Sequence, residues 1–138
     1  MKVHTTNYKD TFIEIAEDSP NYSGEIPPMK GEEKSIATIQ FEMLNQNPYK
    51  FTSDEILFHC YAAKNGFTSN ERDAKRELFF SKGQPCFRCS PLTKRYGWGI
   101  HSNEEGKIAM YGSETDGYKK FSADKSLQIV KAMRSKKA

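Results

Sequence analysis

The sequence predicts an α+β protein, a small antiparallel sheet with a hairpin in its C-terminal half, packed against about three to four helices. Three observations carry that expectation. A β-branched and aromatic run stands at Phe12-Ile-Glu-Ile-Ala16, capped helical patterns fill residues 33–80, and alternating runs flank a glycine-containing loop between Tyr96 and Tyr111.

Phe12–Ala16 is followed by Ser19-Pro20 and reads as a strand. Residues 21–31 hold two glycines, Pro27 and Pro28, so an irregular loop is expected there. From Glu33 to Asn47, Ile36, Ile39, Met43 and Leu44 recur at helical spacing, and Pro48 follows the last turn. Thr52-Ser-Asp-Glu55 is a capping box opening a second helix that closes at Asn65-Gly66. Thr68-Ser-Asn-Glu71 repeats the device for a third helix, which runs through Phe80 and stops by Gly83.

Strand texture returns at Cys86–Ser90, Tyr96–His101 and Lys107–Tyr111, the last two joined by Glu104-Glu105-Gly106 with glycine at the left-handed position. That register puts Trp98, Ile100, Ile108 and Met110 on one face. Arg95, Gly97, Gly99 and His101 then share the other, a glycine shelf with a polar group at each end. The shelf invites either a ligand or packed backbone. In an extended strand Arg95 and His101 stand about 20 Å apart, so only an elongated ligand touches both. A helical turn around Tyr118 and a last helix carrying Leu127, Val130 and Met133 complete the expectation, with a basic tail over 134–138.

At 138 residues, 36% of them hydrophobic, the chain suits one domain spanning 1–138 that buries a core without metal or disulfide. The N-terminus lacks the apolar run of a signal peptide, and three scattered cysteines suit a reducing compartment; a cytoplasmic location without membrane contact is the expectation. Charge is divided unevenly. Residues 1–83 carry 10 Lys and Arg against 13 Asp and Glu, a net of −3, whereas residues 84–138 carry 11 against 5, a net of +6. The basic half would attract phosphates or carboxylates, although a solvated surface gives the same arithmetic.

No motif of high specificity accompanies this charge. There is no Walker loop, G-x-G-x-x-G, His-Glu-x-x-His or Gly-x-Ser-x-Gly, so no cofactor or hydrolase chemistry is expected. Cys86-Phe-Arg-Cys89 fits C-x-x-C, but zinc needs four ligands, and only His4, His59, Cys60 and His101 remain to complete a set. In a strand the two sulfurs would point to opposite faces. No metal is expected.

Several segments together resemble an uncharacterised family of small bacterial proteins. They include His4-Thr-Thr-Asn-Tyr8, Gly24-Glu-Ile-Pro-Pro28, Pro48-Tyr49, Ser90-Pro-Leu-Thr-Lys-Arg-Tyr-Gly-Trp-Gly-Ile-His101 and Val130-Lys-Ala-Met-Arg-Ser135. The resemblance spans nearly the whole chain and implies a self-contained bacterial cytoplasmic protein, with no activity, substrate or cofactor attached. It also implies that serine often occupies the position of Cys89.

The leading expectation is a binding module for an anionic small molecule or nucleic acid, using Lys94, Arg95 and His101, with Arg88 and His4 as further ligand-binding candidates. Two alternatives stand beside it. One is a small enzyme with His101 or Cys86 in a cleft between sheet and helices, joined by His4 or Glu14. The other is a homo-oligomer that uses the glycine shelf as a subunit contact.

Overall fold

The computed structural model describes residues 3–29 and 31–135, so the part of the basic tail from Lys136 onward lies outside the described residues. The described residues form four strands and five helices. They are β1 (Thr11–Glu14), α1 (Ile36–Gln46), α2 (Ser53–Asn65), α3 (Ser69–Phe80), α4 (Pro91–Lys94), β2 (Trp98–Ser102), β3 (Ile108–Gly112), α5 (Asp116–Ser122) and β4 (Gln128–Lys131). A single 3-10 turn, Phe87–Cys89, precedes α4.

The sheet order is β3-β2-β1-β4. β1 and β2 pair antiparallel with Ile13 opposite Ile100, and β2 and β3 do so with Ile100 opposite Met110. β4 runs parallel to β1, with Ile13 opposite Val130. The α+β class therefore holds, but the sheet is mixed rather than antiparallel. The C-terminal helix expected around Leu127, Val130 and Met133 is instead this fourth strand. Ile129 and Val130 are β-branched, and β1 offers a backbone row that must find partners; seven residues are too few for spacing alone to decide.

The hairpin register agrees with the sequence. Ile100 and Ile108 are buried at 1% exposure, and half-buried Trp98 and Met110 pack on the same cluster with Ile13, Phe41, Leu44, Ile56 and Leu92. Each fully buried Ile or Leu contributes roughly 1.5–3 kcal/mol. Helices α1, α2 and α4 cover this face. Trp98 is also gripped by the irregular loop: its indole N–H donates to the Glu25 carbonyl at 2.8 Å, and Glu25 N–H donates to Tyr96 O at 2.8 Å.

The opposite face is covered by α5. Phe12, wholly buried, meets Tyr118 edge-on at 5.0 Å and stacks on Phe121 at 5.4 Å. A Cβ at Gly99 would sit 2.6 Å from both Phe12 and Tyr118 carbons. Gly97, at φ +76°, lies so close to the Ser23 carbonyl that a Cβ has no room. The glycine shelf is therefore filled by the chain's own residues, and a subunit contact would have to lie elsewhere.

Residues 86–95 depart furthest from expectation. Ser90 caps α4 by accepting Leu92 N–H at 3.1 Å, and Pro91 takes the first helical position, where its missing N–H costs nothing. Buried Thr93 donates to Phe87 O at 2.6 Å and ties the turn to the helix. Arg95 thus ends a helix instead of opening a strand, and the extended 20 Å separation from His101 does not apply. The first helix also starts later than expected, at Ile36, with Ser35 as its cap.

The two capping boxes differ. At α2, Thr52 Oγ1 accepts Glu55 N–H at 3.2 Å and Glu55 accepts Thr52 N–H at 3.0 Å, closing the box. At α3, Glu71 accepts both the N–H and the hydroxyl of Thr68, at 3.0 and 2.9 Å. Only half of the reciprocal arrangement forms there.

Candidate functional site

The proposed ligand-binding residues are distributed over four places. Lys94 and Arg95 stand at the end of α4, where they line a cavity of about 540 Å³ with Lys64 of α2, Ser35, Ile36 and Tyr96. His101 lies on the other face of the sheet, under α5. Arg88 donates from Nε to Lys131 O at 2.7 Å, and its own carbonyl accepts Met133 N–H at 2.7 Å, so it braces the end of β4. His4 is tied through its backbone N–H to Phe80 O at 2.8 Å, at the end of α3. The structure brings Lys94 and Arg95 together and adds Lys64; it does not bring His101, Arg88 or His4 to them.

The cavity wall explains its electrostatics. Lys64, Lys94 and Arg95 contribute three cations, and among the described residues none in the lining is acidic. Neither Lys94 nor Arg95 has an ion-pair partner among the described residues. Lys64 Nζ donates to the Lys34 carbonyl at 2.6 Å, which holds its ammonium near the start of α1. α1 carries no acidic residue in its first turn, and Ser35 satisfies only Thr38 N–H, at 3.2 Å. The N–H groups of Ile36 and Ala37 have no acceptor among the described residues. Positive side chains and the positive end of a helix therefore face one space.

His101 belongs to a separate aromatic cluster. Its ring stacks on Phe121 at 4.0 Å and 15°. Nδ1 lies 2.8 Å from the Tyr49 hydroxyl, which lies 2.7 Å from the Tyr111 hydroxyl. With the ring proton on Nε2, Nδ1 accepts from Tyr49 and Tyr49 in turn accepts from Tyr111. Burial holds the imidazole below its ordinary pKa while Asp10 and Asp124 pull the other way. Burial, then the Tyr111 hydrogen bond, raise the Tyr49 phenol well above its usual range. Tyr49 also sits at φ +58°, held there as its N–H donates to Ile108 O at 2.9 Å. Sequence reasoning missed Tyr49 and Tyr111 as partners of His101; the Pro48-Tyr49 pair in the motif set was the available signal.

The polar motif His4-Thr-Thr-Asn7 has a structural explanation. The Asp54 carboxylate at the start of α2 accepts Thr5 Oγ1 at 2.6 Å, and Thr6 N–H and Thr6 Oγ1 at 2.7 Å each. Asn7 Oδ1 accepts Asp54 N–H at 2.9 Å in return. These bonds pin the segment before β1 across the top of α2.

The three thiols converge. Cys60, Cys86 and Cys89 line one cavity of about 480 Å³ between α1, α2 and the turn before α4. Burial pushes the Cys60 thiol up to about 12, which keeps it protonated and unreactive at neutral pH. Among the described residues no group of three or more His, Cys, Asp or Glu is placed to hold a metal ion. His101 and Cys86 lie on different faces of the sheet, so no cleft unites them.

Comparison with known families decides the kinship. The chain belongs to DUF6157, a family of unknown function. The family model matches residues 3–138, nearly the whole chain. Neither a curated protein nor a solved structure matches it significantly. Membership in DUF6157 thus carries no chemistry. Among the described residues no helix is long and apolar enough to cross a membrane.

Proposed function

We propose that this DUF6157 protein is a binding module for an anionic ligand, and that Lys64, Lys94 and Arg95 receive the charge. The observation that carries the reading is a cavity of about 540 Å³ lined by three cations with no carboxylate among its described residues. Such a volume suits a small molecule. The start of α1 adds a favourable dipole, and Arg95 adds a planar fork matched to carboxylate or phosphate. His101, Arg88 and His4 serve the fold in this reading. The three free cysteines support a reducing, cytoplasmic setting.

The test is calorimetric titration with inorganic phosphate and with acetate across a salt series. Lys94→Gln combined with Arg95→Gln should weaken binding about tenfold or more and flatten its salt dependence, whereas Arg88→Gln leaves both unchanged. Unaltered affinity and salt slope in the Lys94/Arg95 double variant would overturn the reading.

A further inference from the structure

The cationic cavity adjoins the thiol-lined one, and Ile36, Lys64, Cys89 and Pro91 belong to the walls of both. The second compartment is apolar in character. Leu57 lies in its wall, Tyr61 and Phe79 stack on each other at 4.7 Å, and Ile36, which lines both cavities, is 43% exposed. A patch of exposed Ile36 and Tyr61 beside a cavity is surface that water covers poorly.

Polar side chains also stand in this lining, namely Lys64, Asn65, Gln84, Ser90 and Gln40. Gln40, only 2% exposed, accepts Ser90 Oγ at 2.6 Å through its amide oxygen. Its amide nitrogen donates to no acceptor among the described residues, although the residue lines the apolar compartment.

Resting on the anion reading above, we propose that the ligand is a single-chain amphiphile: an anionic head beside Lys64, Lys94 and Arg95, with an unbranched apolar body lying along Leu57, Tyr61 and Phe79. Charge complementarity fixes the orientation. A head in the apolar compartment would keep only Lys64 and lose Lys94 and Arg95, and a body in the cationic one would waste apolar burial. Fatty carboxylates and alkyl phosphates share this chemistry.

The experiment titrates the full chain with acetate, hexanoate, octanoate and decanoate, with decyl phosphate, and with 1-decanol. Affinity is expected to rise about threefold to fourfold for each added methylene, and to fall at least tenfold for 1-decanol. Decanoate and decyl phosphate report whether the natural head is a carboxylate or a phosphate. In the wild-type protein, decanoate should also slow alkylation of Cys86, which lines only the apolar compartment, while acetate should not; mass spectrometry reads the label.

Binding that does not change with chain length, with Cys86 unprotected, overturns the amphiphile and leaves the anion site standing. If 1-decanol binds as tightly as decanoate, and Lys94→Gln with Arg95→Gln has no effect, both readings fall.

Discussion

His101 shows how one side chain is committed by its surroundings. Stacked on Phe121 and hydrogen-bonded to Tyr49, the ring is more easily accommodated neutral than charged, because burial penalises the cation more than Asp10 and Asp124 favour it. Unfolded, the same ring titrates near 6.5. Its contribution to stability is therefore present above pH 6.5 and is lost as pH falls through the lower folded value. Thermal midpoints should drop on acidification below pH 6.5, and His101→Gln should remove part of that drop, at most about 1.4 kcal/mol per pH unit. His59, also lowered by burial and by Arg72, accounts for a remaining slope of the same sign. An identical pH profile in the variant would contradict the assignment.

At the scale of elements, what the sequence revealed depended on whether a signal was local. The helices α2 and α3 were legible because Thr52-Ser-Asp-Glu55 and Thr68-Ser-Asn-Glu71 carry their own start signals. The hairpin was legible because alternation and a glycine loop agree. By contrast α4 was hidden: Ser90-Pro91 is a cap followed by a first-turn proline, but the neighbouring Cys86-Phe-Arg-Cys resembles a strand in a window so short. β4 was hidden because its identity comes from pairing with β1, more than 110 residues away. The candidate site followed the same division. Lys94 and Arg95 were readable as exposed cations in a motif, but Lys64 joins them only through the packing of α2 against α1. The clip at α2 permits a prediction here. Asp54→Ala strands the donors of Thr5 and Thr6, and should cost about 3 kcal/mol in urea denaturation; a loss under about 0.5 kcal/mol would show that the clip is unimportant.

Across the molecule, burial is divided between two clusters. The main one joins the sheet to α1, α2 and α4, whereas Phe58, Ala62 and Phe80 form a smaller one under α3. α3 itself buries only Phe80. Its opening should therefore be cheaper than global unfolding. Hydrogen exchange should show α3 amides losing protection before those of α2, β1 and β2, and equal protection throughout would refute this division. The charge imbalance has a similar scale: the cations of residues 84–138 draw anions toward the molecule at long range, but only where Lys94 and Arg95 meet Lys64 do they acquire a concave surface to bind one.

β1 lies between β2 and β4, and both of those neighbours are encoded after residue 97. During synthesis, then, β1 waits unpartnered at least until Trp98–Ser102 has been made, while α1, α2 and α3 can form behind it. Joining the two ends of the chain is a late event of high contact order, so a truncated product would expose Phe12 and Ile13 with neither strand available to shield them.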